Sequence, residues 1–213
     1  KNIKNFIGLP IISYSIVAAK QCGCFDKVVV STEDEEIACI AEDYGAKVAW
    51  RNPVLATDEA RVVDVCEDYL ISNSSSLADY SLLCVLYPTA PLRNADDIRA
   101  VHRLVSSGDH SSALAVTKFP LPVHQAIGVV DGQSYPVFPE LFYKRSSEVP
   151  EYYVDNGSTY VTSTEYFLNA KNLISNDVAM HVMPWSRSID IDTQEDFLMA
   201  EFFGRRLLPQ HDK

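Results

Sequence analysis

Apolar residues recur at helical spacing from Pro10 to Lys20, behind a proline suited to a first turn, and Gly23 follows as a stop; this stretch is expected to be a helix. Lys27 to Ser31 carries the run Val28-Val29-Val30, which suits a strand buried on both faces. Thr32 is the expected cap of a second helix. Its first turn holds Glu33, Asp34, Glu35 and Glu36 at the positive end of the helix dipole, and Gly45 ends it. Lys47 to Trp50 reads as a second strand, Arg61 to Ser72 as a helix, and Asn73 to Leu77 as a polar loop. Ser81 to Tyr87 is a third buried strand, Pro88 to Asn94 a loop, Ala95 to Ser106 a helix and Ala113 to Thr117 a fourth strand. Helices and strands in strict alternation predict an α/β fold, doubly wound around a mostly parallel sheet.

The pattern changes after Lys118. Prolines at 120, 122, 136, 139 and 150 break any helical period, and an excursion of loops and short antiparallel strands is expected before the main fold resumes. It is too long for a plain connection and suits a cover over a site or a subunit contact. Ser158 to Thr162 returns to strand, Thr164 to Asn169 to helix, and His181 to Asp192 reads as extended. A last helix starts near Gln194.

Charge narrows the function. A net charge of −11 argues against a basic surface for nucleic acid, though local cations and a divalent metal can still hold a small anion. No stretch approaches the roughly 18 to 20 apolar residues of a membrane span, and Lys1 to Pro10 lacks the apolar core of a secretory leader. Cys22, Cys24, Cys39, Cys66 and Cys84 are odd in number and several sit among apolar residues; reduced thiols in a cytoplasmic protein are expected, with zinc the minor reading of Cys22 and Cys24.

Candidate chemistry is densest near the C-terminus, in Ser188-Ile189-Asp190-Ile191-Asp192-Thr193. On a strand Asp190 and Asp192 would share a face, about 7 Å apart, with Ile189 and Ile191 turned to the core. Two carboxylates on one face suit Mg²⁺, which takes one or two protein carboxylates plus phosphate oxygens. A solvated strand edge before a capped helix explains the same residues. Arg51 follows a strand, where open α/β sheets place ligand loops, and so does Tyr87-Pro88-Thr89-Ala90-Pro91-Leu92-Arg93. Arg51 and Arg93 could hold phosphate or carboxylate, or lie as surface cations. Asp155-Asn156-Gly157 is turn-forming, which explains it fully; contact with a polar substrate is the alternative. His124 and His181 sit singly in apolar contexts and read as structural, and neither a P-loop nor a Gly-x-Gly-x-x-Gly run is present.

The ordered set of motifs resembles the acylneuraminate cytidylyltransferases, which make CMP-activated sialic, legionaminic and pseudaminic acids. The resemblance runs along the whole chain. It rests on Lys1-Asn2 with Gly8-Leu9-Pro10-Ile11, Val30-Ser31-Thr32-Glu33-Asp34, Arg51-Asn52-Pro53, Leu55-Ala56-Thr57-Asp58, Tyr87 to Arg93, Asn156-Gly157 and Ile189-Asp190-Ile191-Asp192-Thr193. Tyr87, Phe119-Pro120-Leu121-Pro122 and Arg145 to Asp155 look most like the pseudaminic branch.

The resemblance implies a nucleotide-diphospho-sugar transferase-like fold over 1–213, with segment 118–157 as an insertion used by a homodimer. It implies transfer of CMP from CTP to a nine-carbon 2-keto-3-deoxy sugar acid, with release of pyrophosphate. By it, Asp190 and Asp192 hold Mg²⁺, Lys1 faces the triphosphate and Asn2 the nucleotide. Arg51, Asp58 and Ala60 line the cytosine pocket, and Tyr87 and Thr89 meet the sugar, with Arg93, Asp155 and Asn156 as further substrate contacts. A catalytically silent homologue, serving as a binding or structural subunit, is the rival reading. The family's first strand, central in its sheet, and most of its phosphate loop are expected to be absent, since this chain starts at Lys1-Asn2. CTP is therefore expected to bind weakly. Calorimetry against a chain carrying a family-type N-terminal loop checks this, and equal micromolar affinity in both would contradict it.

Overall fold

The computed structural model describes residues 2–57, 59–73 and 80–208. A short antiparallel pair, β1 (Asn5–Phe6) and β2 (Leu9–Pro10), leads into helix α1 (Ile11–Cys22), which ends on Gly23 in the left-handed region. Then follow β3 (Val29–Thr32), α2 (Glu35–Asp43), β4 (Lys47–Trp50) and α3 (Val62–Asn73). Next come β5 (Leu82–Leu86), α4 (Ala95–Ser106), β6 (Ser112–Lys118), and the hairpin β7 (Ile127–Val130) and β8 (Gln133–Pro136). The chain closes with β9 (Tyr153–Ser163), α5 (Thr164–Ala170), β10 (Ala179–Val182) and α6 (Gln194–Leu207).

The alternation expected from the sequence is present, and its directions follow from the pairings. β5 and β6 each run antiparallel to β9 between them, so they run parallel to each other, and β10 adds parallel to β6. Three strands of this sheet thus point one way and β9 alone the other. β3 and β4 form a separate parallel pair. Among the described residues no strand hydrogen-bonds both β3 and β5, so these two groups of strands are separate sheets.

Burial explains the layers. Val101, Val105, Ala113, Ala115, Val161 and Met183 pack α4 against one face of the larger sheet. Leu70, Val85, Leu114, Tyr160 and Phe167 bring α3 and α5 onto the other. A third cluster, Phe6, Ile11, Leu92, Ile189, Ile191 and Phe197, fastens the segment before α6 to the start of the chain.

Three local expectations are corrected. Asp34, not Thr32, caps α2, its carboxylate accepting from the amides of Glu36 and Ile37; Thr32 ends β3 and its hydroxyl accepts from Asp34 N. The chain from His181 to Asp192 is not one extended run: Pro184 opens a 3-10 turn, Trp185–Arg187, and only afterwards does the backbone extend again. Asp155-Asn156-Gly157 does not precede a strand but lies within β9, where it makes a bulge. Asp155 pairs with Val116 and Tyr160 with Leu114, so five steps on β9 match two on β6.

Two helices carry reciprocal caps. Asn94 accepts from the amides of Asp96 and Asp97 while Asp97 accepts from Asn94 N, and Thr193 and Asp196 repeat the arrangement on α6. Asn94→Ala is expected to cost about 1 kcal/mol, which lowers the melting temperature by about 2–4 °C at this chain length. Thermal unfolding by circular dichroism checks it, and an unchanged midpoint would contradict the cap's role.

Candidate active site

The loops after β5, the bulge in β9 and the segment before α6 converge at one end of the larger sheet. Ile189 and Ile191 are buried as the sequence pattern predicts, and between them Asp190 is half-buried; Asp192 is exposed. The segment is not a paired strand. Ile191 N donates to Thr89 O at 2.9 Å, which joins the aspartate segment to the Tyr87–Arg93 loop.

The bulge shapes the opposite wall. Gly157 has φ +64°, and a Cβ there would lie 2.8 Å from Asp190 Cγ. Glycine is therefore required twice, for the backbone conformation and for the approach of a carboxylate. Asp155 is exposed and turned back on the bulge, accepting from Gly157 N at 3.0 Å and from the Tyr160 hydroxyl at 2.8 and 2.9 Å. The Tyr160 ring packs 5.5 Å from that of Tyr87. Burial above all, with Asp155 and Asp190 among the smaller contributors, pushes both phenols up from their ordinary range, so both stay protonated at neutral pH.

Two of the expected substrate contacts have other work. Arg93 is buried; it donates from Nε to Ser158 O at 2.9 Å, from Nη1 to Ser15 Oγ at 2.9 Å, and from Nη2 to Tyr87 O. Burial pulls its guanidinium down to about 10, against the pull of Cys84, Asp97 and Asp190, and it remains a cation. It ties α1, the Tyr87 loop and β9 together instead of facing solvent. Asn156 is also turned inward, donating to Ser188 Oγ at 3.0 Å and accepting from Ser158 N and Oγ.

Arg51 lies at the end of the smaller sheet. Its guanidinium donates to Ser31 O at 2.6 Å and Ser31 Oγ at 3.3 Å, and Glu33 stands 3.7 Å away. Beside it is a cavity of about 400 Å³, lined by Trp50, Asn52, Asp68 and Tyr69 among others. Burial pushes the thiol of Cys66, on α3, up to about 11 against the Arg51 charge, so it stays a neutral thiol. Asn2 accepts from Ile12 N through its carbonyl at 3.1 Å, which sets it at the start of α1, and Ala60 N donates to Thr57 O at 3.1 Å. Lys1 and Asp58 lie outside the described residues.

The structure thus brings Tyr87, Thr89, Asp155, Asp190 and Asp192 to one end of the sheet. Sequence reasoning missed Tyr160 and the role of Gly157. Tyr160 lies five positions after Asp155, an odd offset that a regular strand places on opposite faces; the Asn-Gly pair next to a strand pattern was the signal for a bulge. Gly157→Ala is expected to cost about 1–2 kcal/mol through backbone strain and to displace Asp190. Urea unfolding of the variant checks this, and an unchanged midpoint would contradict it.

Comparison with known proteins fits this geometry. The family model described as "Cytidylyltransferase" matches residues 1–202. The chain is 33% identical to a pseudaminic acid cytidylyltransferase of Campylobacter jejuni over 203 residues, covering 94% of this chain and 88% of that protein. It is 32% identical to a CMP-N,N'-diacetyllegionaminic acid synthase of Legionella pneumophila, with coverage of 94% and 88%. A solved CMP:2-keto-3-deoxy-manno-octonic acid synthetase complexed with CTP shares the fold, with TM-score 0.70, 14% identity, and coverage of 98% of this chain and 92% of that one. With a wound sheet, an aspartate segment tied to the loop after β5, and these matches over nearly its whole length, the chain belongs to the cytidylyltransferase family.

Proposed function

We propose that this protein transfers CMP from CTP to a nonulosonic acid, with pseudaminic acid favoured over legionaminic and sialic acid, and releases pyrophosphate. The observation that carries the reading is the Asp190 carboxylate, set against Gly157 beside Asp155, on a segment hydrogen-bonded to the Thr89 loop. The names of the relatives support the substrate class.

In this reaction the anomeric hydroxyl attacks the α-phosphorus of CTP. A new O–P bond forms as the hydroxyl loses its proton, and the bond to pyrophosphate breaks. No covalent enzyme intermediate is needed, so the protein's task is positioning and charge placement. Asp190 and Asp192 are hard oxygen donors that suit Mg²⁺, and bound there it would neutralise phosphate charge. Tyr87 and Thr89, on the loop tied to that segment, would frame the sugar, and the protonated Tyr87 hydroxyl can donate to it. Arg51, Asp58 and Ala60 would line the cytosine pocket, with Lys1 toward the triphosphate and Asn2 toward the nucleotide. Arg93 and Asn156 act by holding these loops, not by touching substrate. A silent homologue is disfavoured by the presence of both aspartates at the converging loops.

The excursion suits a homodimer of a cytoplasmic enzyme. Among the described residues the β7–β8 hairpin pairs with no other strand, and it carries exposed Ile127, Val129 and Val130, with Leu121 and Tyr143 also exposed in the same excursion. Such a surface, in segment 118–157, fits an interface of at least about 1,000 Å². No helix among the described residues is long and apolar enough to cross a membrane.

Pyrophosphate release should require CTP and be fastest with pseudaminic acid in a panel of nucleotides and sugar acids. Turnover with another nucleotide, or none with any nonulosonic acid, would contradict the proposal. Asp192→Asn should lower kcat by about 100-fold or more with the fold intact, because it removes a charge-placing group worth several kcal/mol. Light scattering should show a dimer at micromolar concentration, and a monomer would count against the role of the excursion.

A further inference from the structure

Asp97 is the most completely enclosed carboxylate with assigned partners outside the converging loops, and its partners lead to them. Its side chain is 3% exposed. It sits in the first turn of α4, where Oδ2 accepts from Asn94 N at 3.0 Å. Both oxygens also meet the Arg187 guanidinium, Nη2 reaching Oδ1 at 3.0 Å and Nη1 reaching Oδ2. His181 on β10 completes the cluster, with Nε2 3.1 Å from Oδ1. Asp97 therefore joins the start of α4, the edge strand and the 3-10 turn that holds Arg187.

That turn directly precedes the aspartate segment. Arg187 N donates to Pro184 O at 3.0 Å and Ser188 N to Trp185 O at 3.0 Å, so the turn is a short rigid unit. Ser188 then receives Asn156 Nδ2 at 3.0 Å from the bulge of β9. Asp190 follows two residues later. A buried ion pair adds little net stability over an apolar replacement, because both ions lose their water. What a planar, two-pronged pair does well is fix one geometry.

We infer that the Asp97–Arg187 clasp is a positioning device for the reaction, holding the 188–192 segment so that Asp190 meets Gly157 and Ile191 reaches Thr89. This inference rests on the proposed role of Asp190 and Asp192. Arg187 and Asp97 touch no substrate; they act through the backbone between them and Asp190. Lysine at 187 would keep the charge but lose the fork, and so restore only part of the geometry.

The test compares Arg187→Met, Arg187→Lys and Asp97→Asn with the native protein. Arg99→Met is the control, since Arg99 ties the same helix to the carbonyls of Gln21 and Cys22 instead. Amide hydrogen exchange followed by mass spectrometry reads the segment without reference to activity. Exchange over 188–192 should quicken by at least about tenfold in Arg187→Met and Asp97→Asn and less in Arg187→Lys, with β6 and β9 unchanged. In the same variants kcat should fall by about 10–100-fold, as for loss of a residue supporting a reacting group, while the KM for CTP stays within about threefold. Arg99→Met should show neither effect. Unchanged exchange over 188–192 in folded Arg187→Lys and Arg187→Met would overturn the clasp, as would equal effects in the control. Quickened exchange with full kcat would show that the clasp orders the segment but would overturn its part in positioning the reaction, whereas full turnover in Asp192→Asn would overturn the role of the aspartates instead.

Discussion

A cation buried under the converging loops is the constraint on which this architecture depends. Arg93 cannot lie in the core without donors spent on acceptors, because an ion that has lost its water needs replacements for it. It finds them in the Ser158 carbonyl, the Tyr87 carbonyl and the Ser15 hydroxyl, and these lie on three different elements. One side chain therefore sets the distance between α1, the loop after β5 and the strand that bulges. Cleaving any of the three ties would leave charge and carbonyl unmatched in a dry interior, which is costlier than the bond itself is worth.

Other polar ties secure the same loops. Ser158 and Ser188 both bond Asn156, Thr89 bonds Ile191, and Asp97 bonds Arg187. Buried polar groups are costly when partly satisfied and rigid when fully satisfied. The consequence is a stiff frame with carboxylates at its rim. Negative charge concentrates at Asp155, Asp190 and Asp192, in a chain that is already strongly acidic. A cation is the natural complement at such a rim, and the triphosphate of a nucleotide would be drawn in only with that charge offset.

Much of this was legible in the residues. The apolar runs at Val28-Val29-Val30 and along Ser81 to Tyr87 marked strands, although most of their residues are half-buried where full burial was expected, and the alternation of Ile189 and Ile191 with two aspartates marked the segment that packs on Phe6 and Phe197. The ordered motifs named the family. What stayed hidden depended on distance in the chain. Arg93 read as equally suited to a phosphate contact and to the surface, since nothing local says that Ser15, 78 residues away, would receive it. The Asp155-Asn156-Gly157 run carries turn chemistry, and only pairing with β6 makes it a bulge. The 3-10 turn before Ser188 was masked by apolar neighbours that read as extended chain, although Pro184 was there to interrupt them.

The central claim is that the two aspartates before α6 form the reaction centre of a nucleotide-binding fold. It is tested most directly by crystals grown with CTP and Mn²⁺ in place of Mg²⁺, using the anomalous signal of manganese to locate the ion. The account predicts a peak within coordination distance of carboxylate oxygens from both Asp190 and Asp192, in contact with phosphate oxygens of the nucleotide. Ordered CTP whose metal lies away from both aspartates would contradict it.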